Sequence, residues 1–294
     1  MIKEKVFISM IILKDITKFY RTDFWKSSTK ALDQISFEII PGSITGFLGA
    51  NGAGKTTSIK IILGITSPSS GSIDFSKMGK NKSDFLKGLG YMPERPYYYQ
   101  NVSGRQFIEY LAKLNGLSLF DITTRLKEWS ERLNLAHAID RNISTYSKGM
   151  LQRLGMISAV IHTPKLLILD EPVSGLDPIG RKDIKEILKE LNTKHGMTIF
   201  FSTHIIPDVE EICDQLIFLK KGKLIYSGKL SEILISDNQK FSISYTFEGK
   251  NIDLEINSPD KEMAIIRLIN SGAKINKINT QVVKLEEFLY GHEK

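Results

Sequence analysis

The sequence predicts an α/β protein, with a mainly parallel sheet covered by helices, a helical insertion and a small appended α+β unit. Three observations predict this. An apolar pentad, Ile44–Leu48, runs into a glycine-rich turn and then into a helical pattern. Two more short apolar runs, 166–169 and 198–201, are separated by helical periodicity, as buried parallel strands are. Between the first run and the second, residues 83–153 place apolar side chains at mostly helical spacing.

The elements follow in order. Residues 11–16 and 35–40 read as strands, with a polar insertion, 21–30, between them. Pro41-Gly42 is a turn. After the pentad, Ile59, Ile62 and Leu63 share one side of a helix over 56–63. Phe107, Tyr110, Leu111 and Leu114 repeat at helical spacing, as do Leu126, Trp129 and Leu133. The strand 166–169 is expected beside the pentad. Ile184, Ile187, Leu188 and Leu191 mark an amphipathic helix. Composition turns polar near 236–240; Phe241, Ile243 and Tyr245 then alternate as a strand, and 262–269 reads as a helix. These shifts predict a core of residues 10–82 and 155–235, a helical insertion of 83–154, and a C-terminal unit of 236–294.

At 294 residues and 41% hydrophobic content, the chain can bury one large core or two modest ones. No apolar run approaches the roughly 18 residues needed to cross a bilayer. Lys3 and Lys5 precede apolar residues 6–13, but no small-residue cleavage site follows. The expectation is a cytoplasmic chain, with Met10 a candidate initiator. A single cysteine, Cys213, excludes an internal disulfide framework and a multi-cysteine zinc site. Its apolar neighbours predict a small buried hydrophobe. The net charge of +7 favours anionic partners, yet the lysines are spread along the chain, as on a solvated surface.

Gly49, Ala50, Asn51, Gly52, Ala53, Gly54, Lys55 and Thr56 fit the pattern G-x-x-x-x-G-K-[ST]. Glycines let successive backbone N–H groups turn inward around an anion, and the helix that begins here adds its positive end. Lys55 can reach the β- and γ-phosphates, and the Thr56 hydroxyl suits Mg²⁺. Chance would place this pattern in about one chain of this length in a hundred. A plain glycine turn capping a helix is the bland alternative, and the flanking strand and helix argue against it. The loop alone specifies only a nucleoside triphosphate.

The run 166–169 ends in Asp170 and Glu171. Asp170 falls at the carboxyl end of a strand, where open α/β sheets bind ligands, and can hold Mg²⁺ directly or through water. Glu171, one residue on, points differently and suits a water-activating base.

With these residues in place, the sequence from about Ile11 to Gly228 resembles the ATP-binding subunits of ABC transporters. Tyr20 matches the adenine-stacking aromatic, with Phe19 and Trp25 as alternatives because 21–30 lengthens the following loop. Gly49 through Thr57 match Walker A. Residues 90–94, Gly-Tyr-Met-Pro-Glu, resemble the Q-loop, with Glu94 where the family usually has glutamine; a carboxylate there still suits Mg²⁺. Residues 146–153, Tyr-Ser-Lys-Gly-Met-Leu-Gln-Arg, are similar to the signature. Tyr146, Lys148 and Met150 depart from it, while the phosphate-contacting Ser147 and Gly149 remain. Asp170 and Glu171 match Walker B and its catalytic glutamate. Residues 174–177 match the D-loop, ending at Asp177, and residues 202–204 match the switch histidine, His204.

The resemblance implies a P-loop NTPase core with an antiparallel β subdomain, ATP and Mg²⁺ as cofactors, and ATP hydrolysis with Glu171 and His204 catalytic. It also implies a second ATP-binding subunit in a head-to-tail ATP sandwich, a homodimer by expectation, and an integral membrane permease. The chain would then sit on the inner face of the cell membrane. Ser147 would cap its helix and meet the second subunit's γ-phosphate. The Tyr-Ser-Lys-Gly-Met signature, the Pro-Glu Q-loop and the tail near Leu285 resemble exporters of drugs, antibiotics or lipid-linked molecules. Tyr97, Tyr98 and Tyr99 are expected to form an aromatic pocket for a permease helix. The alternative, a non-transport ABC ATPase acting on ribosomes or DNA, fits less well: there is one cassette, no sustained heptads, and no direct nucleic-acid contact is expected.

Overall fold

The computed structural model describes residues 9–20, 28–234, 240–257, 260–281 and 285–290. The chain divides into two compact units, Met1–Gly228 and Lys229–Lys294.

The first unit runs β1 (Ile11–Tyr20), β2 (Thr29–Ile39), β3 (Ile44–Leu48), α1 (Lys55–Ile62), β4 (Ser70–Asp74), α2 (Lys82–Lys87) and β5 (Leu89–Met92). It continues with α3 (Gly104–Leu114), α4 (Leu119–Arg132), α5 (Lys148–Val160), β6 (Leu166–Asp170), α6 (Pro178–His195), β7 (Thr198–Thr203), α7 (Ile206–Ile212), β8 (Gln215–Lys220) and β9 (Lys223–Lys229). β1 pairs antiparallel with β2 on one side and β4 on the other. A six-stranded sheet has the order β5-β6-β7-β3-β8-β9, and its first five strands are parallel.

The apolar runs are continuous because both faces of the large sheet are covered. Leu167, Leu169, Ile199 and Phe201 point into a core formed with α3, α4, α5 and α6. Leu166, Ile168 and Phe200 point the other way, into a core formed with β1, β2 and α1. Phe47 and Phe200 lie 5.2 Å apart, and Phe37 of β2 lies 5.6 Å from Phe47, so an aromatic cluster bonds the small sheet to the large one. Cys213 packs against the first core, and burial pushes its thiol well up.

The structure corrects the sequence reading at three places. β6 is not beside β3; β7 lies between them and pairs with both. β3, β6 and β7 are all entirely buried, so burial does not decide their order, and no periodicity reports it. Residues 89–92, read within a helical stretch, form β5 at the sheet edge, paired with β6. Four residues are too few to show a period, and Gly90 is required there because a Cβ would meet the Ala159 carbonyl at 2.1 Å. The strand β4 carries too weak a sequence signal to read, Ile73 being its one apolar side chain among small and polar neighbours.

The second unit comprises α8 (Leu230–Leu234), β10 (Lys240–Phe247), β11 (Lys250–Asn257), α9 (Lys261–Asn270), β12 (Lys274–Gln281) and α10 (Leu285–Tyr290). β10 is central and antiparallel to both neighbours. The division falls at Lys229 rather than after residue 235, because α8 packs on α10 within this unit.

Candidate functional site

The carboxyl ends of β3, β6 and β7 lie side by side, with Leu48 opposite Thr203 and Asp170 opposite Ser202. A cavity of about 310 Å³ opens there. Of the residues named from the sequence, Ala50, Asn51, Gly52, Gly54, Lys55, Thr56, Thr57, Glu94, Asp170, Glu171 and His204 line it. Ala31 of β2 and Ser174 complete the wall.

The loop after β3 is shaped by two glycines. Gly54 has φ +110, and a Cβ there would meet Leu32 at 2.6 Å and the Ala31 carbonyl at 2.9 Å. Gly49 approaches the Leu219 backbone so closely that a Cβ would meet its carbonyl oxygen at 2.6 Å. Gly49 N–H donates to the Thr203 carbonyl, and Gly222 N–H donates to the Ala53 carbonyl, so the end of β7 and the turn between β8 and β9 pin the loop from outside. Ala53 is buried there as part of the scaffold.

Lys55 opens α1 and is 6% exposed. Its ammonium donates to the Gly49 carbonyl at 2.6 Å and lies 3.3 Å from Glu171 Oε1. Thr56 Oγ1 donates to Asp170 Oδ2 at 3.0 Å. Asp170, 1% exposed, also accepts from Ser202 Oγ at 2.5 Å. The same Ser202 hydroxyl accepts the Glu171 N–H at 3.0 Å. One serine thus places both acids. Glu171 adopts a left-handed backbone, φ 52, which turns its carboxylate away from the Asp170 side chain toward His204. His204 Nδ1 is 3.0 Å from Glu171 Oε2. The sequence named Ser202 only as part of the switch motif; its contacts with the Asp170 carboxylate and the Glu171 backbone N–H depend on β6 and β7 being neighbours.

The arrangement is chemically suited to a polyphosphate and a divalent cation. It presents a cation, loop and helix N–H groups, and hydroxyl and carboxylate oxygens within one cavity. Among the described residues, no group of three or more His, Cys, Asp and Glu could hold a metal ion. A cation at Thr56 and Asp170 would therefore need ligand oxygens as well, as a nucleotide's phosphates supply.

Gly49 and Ala53 shape the loop without lining the cavity, and other named residues lie away from it. Tyr20 is 38% exposed, with Lys18 Nζ 5.2 Å over its ring. Phe19 is likewise exposed, with Lys30 over its ring. Trp25 lies outside the described residues. Ser147 caps α5, its hydroxyl accepting the Met150 N–H. A Cβ on Gly149 would meet only Leu176, at 3.8 Å, so its surface is open. Asp177 caps α6, accepting the Gly180 N–H at 2.8 Å.

Residues 32–174 match the ABC transporter family. The chain is 40% identical over 251 residues to an uncharacterized ABC transporter ATP-binding protein of Nostoc sp., covering 84% of this chain and 73% of that one. The chain belongs to the ABC transporter ATP-binding proteins. This ABC cassette is also 33% identical over 282 residues to the bacitracin transport ATP-binding protein BcrA of Bacillus licheniformis, covering 92% of this chain and 89% of that one. A solved ATP-binding subunit of an ABC transporter superposes with a TM-score of 0.68 at 29% identity, over 76% of this chain and 92% of that one. A dimeric ATP-binding cassette bound to ADP and phosphate, 22% identical, shares the fold with a TM-score of 0.68 over 75% of this chain. The ABC cassette accordingly binds ATP and hydrolyses it. No helix among its described residues is long and apolar enough to cross a membrane.

Proposed function

We propose that this subunit binds Mg-ATP in the cavity and uses its hydrolysis to drive a separate permease in the export direction. The observation that carries this is the convergence of Lys55, Thr56, Asp170, Glu171 and His204 on one cavity. Lys55 and the N–H groups of the loop bind the β- and γ-phosphates. Thr56 and Asp170 offer oxygens to Mg²⁺, with Glu94 a further carboxylate in the wall. The cation, when bound, offsets phosphate charge and helps orient the nucleotide. Glu171 takes the proton of the attacking water. His204, already held against Glu171, donates to the γ-phosphate.

Ser147, Gly149 and Asp177 do not line their own chain's cavity, which suits a contribution to the cavity of a second subunit, head to tail. The dimeric cassette of shared fold supports that assembly. Tyr20 or its neighbours stack on adenine. The helices α3 and α4 face the permease at the inner surface of the cell membrane, the two sheets of the first unit carry the chemistry, and the C-terminal unit is an appendage.

The expected permease pocket changes in composition. Tyr98 is only 4% exposed, its hydroxyl donating to the Leu151 carbonyl at 2.7 Å and its ring edge-on to Phe107. Tyr97 and Tyr99 are exposed and remain the candidate anchors. The likeness to a bacitracin transport subunit favours export. Co-expression with the integral protein that co-purifies from native membrane should lower sensitivity to a bacitracin-class peptide. Unchanged sensitivity with intact ATP hydrolysis would remove the export reading.

A further inference from the structure

The helix that follows His204 is anchored by a buried charge. α7 starts at Ile206 with no side-chain cap, and Pro207 in its first turn brings no N–H. Asp208, also in that turn, is 4% exposed. Its Oδ1 lies 3.3 Å from Lys185 Nζ, and its Oδ2 is buried without a hydrogen-bond partner. Lys185 belongs to α6, two turns beyond the capping Asp177, and its side chain is 13% exposed. It also pairs with Glu211, whose side chain is 44% exposed at the outer edge of α7.

Burying a carboxylate is unfavourable unless it is paired, and an apolar side chain could seat α7 with less desolvation. What the ion pair adds is a fixed distance and direction. Asp208 stands four residues after His204, in the first turn of α7. The pair ties α7 to the helix that begins at Asp177.

We infer that the Asp208–Lys185 pair positions His204, fixing α7 against α6 so that the imidazole stays against Glu171, where Nδ1 and Oε2 are 3.0 Å apart. This rests on the role of His204 in the chemical step. Asp208 and Lys185 are positioning residues; neither lines the cavity. Glu211, on the exposed edge, is dispensable.

A double-mutant cycle on the purified full chain tests the inference. Asp208→Asn is close to isosteric, and Lys185→Met is the second variant should the first fail to fold. Either should lower kcat about tenfold with ATP affinity unchanged, as contacts within one network do. Lys185→Arg should restore kcat, and Glu211→Gln should leave it as it was. Combining Asp208→Asn with His204→Ala should be no slower than His204→Ala alone. Wild-type kcat in Asp208→Asn and Lys185→Met beside a slow His204→Ala would overturn the positioning role and leave the role of His204 standing. So would additive losses, which mark a merely structural pair. Wild-type turnover in His204→Ala would overturn the role of His204 itself, and the inference with it.

Discussion

Lys55 and Glu171 stand 3.3 Å apart, with side chains 6% and 9% exposed. The cation proposed for the phosphates and the base proposed for the water therefore neutralise each other inside the site. Removing either charge leaves the other buried without its opposite charge, which is unfavourable, although Glu171 keeps its contact with His204. Lys55→Ala should weaken ATP binding severely and also lower the melting temperature. Glu171→Gln should behave differently. A glutamine keeps the shape and frees Lys55 for phosphate, so ATP affinity holds or rises while turnover falls by about 10²–10⁴-fold. Nucleotide titration alongside a phosphate-release assay separates the two, and wild-type turnover in Glu171→Gln would place the base elsewhere, with Glu94 next.

The three consecutive tyrosines should separate cleanly. Tyr98→Ala removes a buried ring and its hydrogen bond to Leu151 and should cost about 3–5 kcal/mol. The double variant Tyr97→Ala/Tyr99→Ala should melt with the wild type and retain basal ATP hydrolysis, yet be lost from the membrane fraction. Denaturant melts and membrane recovery give the two readouts. Equal recovery of the double variant would count against an aromatic anchor there.

Dimerisation should depend on the start of α5. Ser147→Arg puts bulk and charge where the second subunit's loop would come, and it removes the cap on the Met150 N–H. The wild type should shift from monomer to dimer when ATP is bound and hydrolysis is blocked by Glu171→Gln. The same variant carrying Ser147→Arg should stay monomeric on size-exclusion chromatography. An unimpaired dimer would refute the in-trans role of Ser147.

Acid should destabilise the first unit through His162. Its Nε2 is 3.0 Å from the Leu89 carbonyl, so the proton sits on Nε2, and Nδ1 is buried without a partner. Burial lowers its pKa from the usual 6.5, and nearby Arg125 acts in the same direction, against the Leu89 hydrogen bond. The folded pKa is below the unfolded one, so the unfolded chain binds the proton first. The stability contributed by neutral His162 is full above about pH 6.5 and is lost as pH falls toward the folded value. His162→Gln keeps a donor for Leu89 and cannot titrate in this range. Its melting temperature should therefore fall less between pH 7 and pH 5 than that of the wild type; parallel curves would clear His162.

Much of the molecule is readable along the chain because its determinants are local. Ile44–Leu48, the glycine loop and α1 are contiguous, so the strand, the anion cradle and the helix end follow from residue order. The run 166–169 announces its own burial, and Ser147 announces its cap, because a helix start needs an acceptor within three residues. The strand order, by contrast, came only from the tertiary structure. β7 lies between β6 and β3 because of packing choices among elements 30 or more residues apart, and no period records such a choice. What depends on that order was equally hidden, Ser202 gripping Asp170 and Glu171 and Lys55 folded onto Glu171; so was Ala31 in the cavity wall, which depends on how the small sheet packs on the large one. Tyr97, Tyr98 and Tyr99 make the same point at single-residue scale. Three identical side chains in a row carry no periodicity, and only the packing of α5 and Phe107 around one of them decides which is core and which are surface.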